Sequence, residues 1–139
     1  MVDDTRIQVD PIGWVSSTLT DLGEAPRQGD EGAPGAVIAI RPELSDALDG
    51  LRIGDRIMVL TWLHHGDRTV LSVHPRDDEL RPRAGIFATR SADRPNPIGL
   101  HEVELLGIEG TRLLVGPIEA VDGTPVLDLK PVLHGVGDR

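Results

Sequence analysis

Apolar residues fall in short runs along this chain, each closed by glycine, proline or a polar turn, the punctuation of strands rather than of long helices. Ile7 to Val15 is the first run; Pro11 interrupts it, which predicts an edge or bulged strand. Gly35 to Ile40 is wholly apolar, and Asp55 to Trp62 is the most apolar stretch, predicting a central strand that empties into a turn at Leu63-His-His-Gly-Asp67. Arg68 to Val73 is expected to fold back on it as a hairpin. Gly85 to Thr89 reads as a further short strand. From Leu100 to Ile108 the pattern alternates, with Val103 and Leu105 on one face and Glu102 and Glu104 on the other, as in a half-exposed strand. Arg112 to Val115 and Glu119 to Pro131 complete the set.

Helical spacing is confined to Pro42 to Gly50. Proline stands in its first turn, Leu44, Ala47 and Leu48 share a face, and Gly50 is placed to cap the C-terminus. Seven or eight short strands with one or two short helices predict a mostly β fold whose sheet is closed or strongly curved. No internal repeat is present, and the length suits one domain spanning residues 1–139 with no separate C-terminal domain. Asp21 to Gly35, rich in glycine and proline, predicts a long loop, functional or mobile, that contains Ala25-Pro-Arg-Gln28.

One connector stands apart from ordinary turn chemistry. After Thr89 the chain runs Arg-Ser-Ala-Asp-Arg-Pro-Asn-Pro-Ile-Gly-Leu100, and Pro95 and Pro97 fix their own φ while pushing Arg94 and Asn96 into extended conformations. The Arg90 and Arg94 guanidinium groups and the Asn96 amide are thereby held at low entropic cost. A second polar loop, Asp122-Gly-Thr-Pro125, leads to Asp128 and Lys130, which lie two apart on a strand and share a face.

Charge narrows the chemistry. Fourteen basic residues against 23 acidic ones give a net charge of −9, which is not the balance of a general polyanion binder. Arginines 81, 83, 90 and 94, with only Asp93 among them, make a local basic patch suited to a phosphate or carboxylate. Without cysteine there is no disulfide framework and no thiolate, and no run approaches the ~20 apolar residues of a bilayer span, so a cytoplasmic protein is expected. His64 and His65 are adjacent, would face opposite sides of a strand, and have no third ligand at a recognisable spacing; no metal site is expected. Walker and Gly-x-Gly-x-x-Gly loops are absent, and Ser91 lacks a nucleophile elbow.

Two long motifs, Gly85-Ile-Phe-Ala-Thr-Arg-Ser-x-x-Arg-Pro-Asn-Pro-Ile-Gly-Leu100 and Val121-Asp-Gly-Thr-Pro-Val-Leu-Asp-Leu-Lys-Pro131, resemble the signature of the TrmO family, S-adenosylmethionine-dependent tRNA adenosine-37 N6-methyltransferases. Ile12-Gly13, Ala25-Pro-Arg-Gln28 and Ile57-Met-Val-Leu-Thr-Trp-Leu-His-His65 follow the same order and spacing, so the resemblance covers nearly the whole chain. It implies a compact β-barrel methyltransferase, unrelated to the Rossmann type, working as a homodimer. It also implies S-adenosylmethionine as cofactor, contacted by Pro26, Arg27, Gln28, His64, His65, Arg90, Leu100, Asp122, Gly123, Thr124, Pro125 and Val126. Arg90 is the natural partner of the cofactor carboxylate, and the turn peptides from Gly123 are natural adenine readers.

An exocyclic adenine nitrogen is a poor nucleophile, so the site has to align it and accept its proton. Asp128 is the candidate proton acceptor, Lys130 the group that holds its charge state, Asn96 an orienting residue, and Arg94 a substrate contact. Two alternatives stay open on the sequence. One phenylalanine, two tryptophans and no tyrosine offer few stacking platforms for RNA, so an enzyme of the same fold acting on a small-molecule acceptor is the second reading. A non-catalytic S-adenosylmethionine-binding module is the third.

Overall fold

The computed structural model describes residues 6–17, 35–75 and 78–133. Six strands close a barrel in the order β1-β2-β7-β6-β3-β8: β1 Gly13–Ser16, β2 Ala36–Ile40, β3 Arg56–Trp62, β6 Ile98–Glu109, β7 Arg112–Gly116 and β8 Pro125–Pro131. All neighbouring pairs are antiparallel. Two further short strands, β4 Ser72–Val73 and β5 Ala84–Gly85, pair only with each other, outside the barrel. The expected mostly β, closed architecture is the one observed.

Alternation builds the interior. Along β6, Gly99, His101, Val103 and Leu105 are buried while their neighbours are exposed, and β3 turns Ile57, Val59 and Thr61 inward. Val15, Ile38, Leu113, Val115 and Val126 complete an aliphatic core, each such side chain contributing about 1.5–3 kcal/mol by leaving water. β1 starts only after Pro11 and is paired with both β2 and β8 in unbroken register, so it is neither the edge nor the bulged strand expected. Gly13 is required there because a Cβ would lie 2.3 Å from the Ala39 carbonyl oxygen of β2.

In β8 the register slips between Leu60 and Thr61 of β3, which face Asp128 and Val126 respectively. This bulge inverts the alternation, so that Leu129 joins Val126 on the core side while Asp128 and Lys130 both point outward. The predicted helix forms as a 3-10 helix, Pro42–Leu48, packing Leu44 and Leu48 on the core, and Gly50 closes it with φ +97°.

Two further expectations fail for identifiable reasons. Arg68 to Val73 does not pair with β3, because β6 and β8 already occupy both edges of that strand. The turn at residues 63–67 is instead tied to the loop before β6, and the chain leaves the barrel to form β4 and β5. Gly85 to Thr89 is a strand only at its first residue: Ile86–Ala88 wind into a 3-10 turn, anchored by buried Ile86 and closed by Thr89, whose N–H and hydroxyl both donate to the Ile86 carbonyl. Among the described residues no helix is long and apolar enough to cross a membrane.

Candidate functional site

Four adjacent strands of the closed wall, β6, β3, β8 and β1, bring the polar segments to one end of the barrel. Leu100 stands near the start of β6, His64 and His65 follow β3, and the turn 122–125 enters β8 against the end of β1. That turn is fastened by Gly123 N–H to the Val15 carbonyl (2.7 Å), Val15 N–H to the Thr124 carbonyl (2.9 Å) and Ser17 N–H to Asp122 Oδ1 (2.9 Å). Gly123 has φ +83°, and nothing lies within 4 Å of the position its Cβ would take, so the turn presents open backbone.

The loops around residues 63–69 and 91–97 clasp each other. Leu63 N–H donates to Pro97 (2.7 Å), Asp67 N–H to Asp93 Oδ1 (2.8 Å), and Arg68 to the Pro95 carbonyl (2.7 Å) and Asn96 Oδ1 (3.0 Å), while its guanidinium carbon lies 5.2 Å from the Trp62 ring centroid. Contact is close enough that a Cβ on Gly66 would lie 2.3 Å from the Ala92 carbonyl oxygen. Arg94 Nη1 donates to the Thr89 and Ser91 carbonyls, 3.0 Å each, and so shapes the loop from within. Asp67 carries a carboxyl held below the ordinary aspartate range by the Thr69 hydroxyl and, second, the Thr69 N–H.

His64 and His65 do not take opposite faces of a strand. They sit in the turn after β3, exposed, with ring centroids 4.0 Å apart and planes tilted by 41°. Arg90 is exposed, and its Nη2 donates to the Leu100 carbonyl (2.9 Å), one bond for a guanidinium that carries five N–H groups. Asp128 lies opposite Leu60, which lies opposite Leu100, so its strand position is about 10 Å from Leu100 across two strand spacings. Lys130 Nζ stands 3.2 Å from Asp128 Oδ2, and Leu129 N–H donates to Oδ1. Pro26, Arg27 and Gln28 lie outside the described residues. Among those described, no group of three or more His, Asp or Glu side chains could hold a metal ion.

A family model for the tRNA-methyltransferase O N-terminal domain matches residues 14–137. The chain belongs to that family. It is 44% identical over 135 residues to a protein of Methanothermobacter thermautotrophicus named a probable S-adenosyl-L-methionine-binding protein, covering 97% of this chain and 96% of that one. An Archaeoglobus fulgidus protein named S-adenosyl-L-methionine-binding protein is 42% identical over 120 residues, 86% of this chain and 85% of its own. The crystal structure of TrmO from P. aeruginosa superposes with a TM-score of 0.74 at 32% identity, covering all of this chain and 62% of that one, so this chain spans less than two thirds of that protein's length.

For the cofactor named in those relatives, the donor set of this family member is chemically suitable. A partly free guanidinium, an open backbone turn and a pair of exposed imidazoles match a carboxylate, a base edge and a purine face. Sequence reasoning missed the polar layer beneath them. His101 is 5% exposed and Thr61 fully buried; His101 Nε2 lies 2.7 Å from Thr61 Oγ1, and His101 Nδ1 lies 2.5 Å from Glu119 Oε1. The signal was present in part, since His101 and Thr61 occupy the apolar phase of their strands. Glu119 lies in irregular chain, where no periodicity marks it.

Proposed function

We propose that the chain is an S-adenosylmethionine-dependent methyltransferase that acts on N6 of adenosine 37 in tRNA, including its threonylcarbamoylated form. The observation that carries this reading is the gathering of Arg90, Leu100, His64, His65 and residues 122–126 at one barrel end by four adjacent strands. S-adenosylmethionine, when bound, supplies an electrophilic methyl group on a sulfonium. Arg90, fixed by the Leu100 carbonyl, holds the cofactor carboxylate, and the turn at Gly123 to Val126 reads the base. Pro26, Arg27 and Gln28 complete the contact set.

The acceptor nitrogen gains the methyl group and loses a proton, for which Asp128 is the acceptor. Lys130 keeps that carboxylate oriented and charge-balanced. Because Asn96 Oδ1 is taken by Arg68, its amide orients the acceptor base by donating N–H to a ring nitrogen. Arg94 acts on the substrate by shaping the loop that bears Asn96. Phe87, the only phenylalanine, is 81% exposed three residues before Arg90, and supplies a stacking face for an RNA base, worth about 1–3 kcal/mol. A homodimer fits the outward apolar side chains Leu106, Ile108 and Leu114 of the paired strands β6 and β7, and the cytoplasm is the compartment where such a substrate is met.

A small-molecule acceptor is the second reading. A cavity of about 440 Å³ lined by Ile12, Ile40, Leu48 and Leu51 reaches Asp128 and Lys130, and the net charge of −9 opposes RNA. Radiolabelled methyl transfer to total tRNA from a strain lacking its own enzyme of this type, with nucleoside mass spectrometry, separates the two. Label on N6 of adenosine 37 is the expected result. Confirmed cofactor binding with no label on tRNA turns the reading to small acceptors.

A further inference from the structure

Three inward side chains join the roots of the segments that bear the candidate residues. Thr61 is three residues before His64, His101 directly follows Leu100, and Glu119 is three residues before Asp122. Their side chains meet inside the barrel in one chain of hydrogen bonds, Thr61 to His101 to Glu119. The carboxylate of Glu119 can only accept, so His101 carries its proton on Nδ1. In the neutral ring Nε2 then accepts from the Thr61 hydroxyl. No buried side-chain polar atom among the described residues lacks a hydrogen-bond partner.

The layer is built for this pairing. Gly99 lies across from Thr61 in the β3–β6 register, and a Cβ there would come within 2.3 Å of Thr61 Oγ1 and 2.7 Å of His101 Nε2. Deeper in the barrel the same strands turn only Val103, Leu105, Val59 and Ile57 inward, so the polar residues are confined to the end that carries the candidate site. The order Thr, His, Glu is not a nucleophile system, because Thr61 is fully buried and no substrate reaches it.

We infer that His101 is a positioning residue for cofactor binding: through Thr61 and Glu119 it locks the relative placement of the histidine turn, the Leu100 carbonyl that anchors Arg90, and the 122–126 turn. This rests on the cofactor site proposed above. Because side chains alternate along β6, the inward bond of His101 fixes the rotation of the strand at Leu100, whose carbonyl sets the Arg90 guanidinium. A site assembled from three segments loses affinity when their spacing relaxes, even though none of the three inner residues contacts the ligand.

The test is calorimetric titration with S-adenosylmethionine, alongside thermal melting of the unliganded protein. Thr61→Val removes the hydroxyl and keeps the shape, whereas Thr61→Ser keeps the hydroxyl and opens a methyl-sized space. Positioning predicts that Thr61→Val, Glu119→Leu and His101→Leu weaken binding by about tenfold to 100-fold, and that Thr61→Ser and Glu119→Gln, which retain a donor and an acceptor, bind within about threefold of the wild type. If these residues only fill the core, Thr61→Ser is the more destabilised of its pair and all folded variants bind alike; that result overturns the inference. Should the Thr61 variants fail to fold, the Glu119 pair decides on the same terms. Arg90→Ala tests the site separately: unchanged affinity in that variant removes the carboxylate assignment, whatever the inner residues do.

Discussion

The two ends of the barrel are held by different forces. At the end carrying His64, Arg90 and the 122–126 turn, the barrel is capped by hydrogen bonds: the Thr61–His101–Glu119 layer inside and the clasp between residues 63–69 and 91–97 outside. At the other end the 3-10 helix Pro42–Leu48 covers the opening with Leu44 and Leu48, leaving a cavity of about 440 Å³ with mostly aliphatic walls, to which Asp128 and Lys130 of β8 are the charged contribution together with Asp49. Apolar contact is non-directional and tolerates small shifts, whereas hydrogen bonds fix distance and angle. The end that has to place a ligand is the one built from directional contacts.

The sharpest way to break that contrast is Gly66→Ala. The added methyl would collide with the backbone at Ala92, where no flexible side-chain end can yield, so the two loops must part. Methyl transfer should fall roughly 100-fold in kcat/KM, the scale of an ångström of misplacement, with a stability cost of about 1–3 kcal/mol. Near wild-type turnover in this variant would show that the clasp is not needed for the site.

At the opposite end, Leu48→Ala enlarges an existing cavity. Leu48 is only partly buried, so the cost should fall at or below the low end of the range for buried leucines, about 2 kcal/mol by chemical denaturation. S-adenosylmethionine affinity should not change if the polar end alone places the cofactor. A large loss of affinity with a small loss of stability would move the site, or part of it, to the aliphatic end.

What could be read in advance follows the same division. Alternation along β6 and the apolar phases of β2 and β3 gave the barrel wall, because a strand with one buried face must alternate. Proline and glycine punctuation picked out the two polar loops, whereas the cofactor contacts assigned to them and to His64 and His65 came from the family resemblance. The hairpin expected at Arg68 to Val73 does not form, since a short apolar run carries no information on whether the neighbouring strand edge is free; here β6 and β8 take both edges of β3. Arg68 was passed over for a related reason. Its stacking on Trp62 and its bonds to Pro95 and Asn96 depend on a loop 27 and 28 residues away, which no local pattern announces.

Within the polar end, the smallest expected effect concerns Asp67, whose exposed carboxyl accepts from the Thr69 hydroxyl (2.6 Å) and N–H (2.8 Å). The hydroxyl is the larger cause of its lowered pKa. A carboxyl with a lowered folded-state pKa stabilises the fold above its unfolded-state pKa and loses that contribution as pH falls through the folded value. Thr69→Val removes the hydroxyl and leaves the N–H, so the Asp67 titration followed by NMR should move up toward the ordinary aspartate range. Melting temperatures of the two proteins should differ slightly at neutral pH and converge in acid. An unshifted titration would mean that the backbone bond alone holds the carboxylate, and that the histidine turn gains its order from the clasp with residues 91–97 rather than from its own side chains.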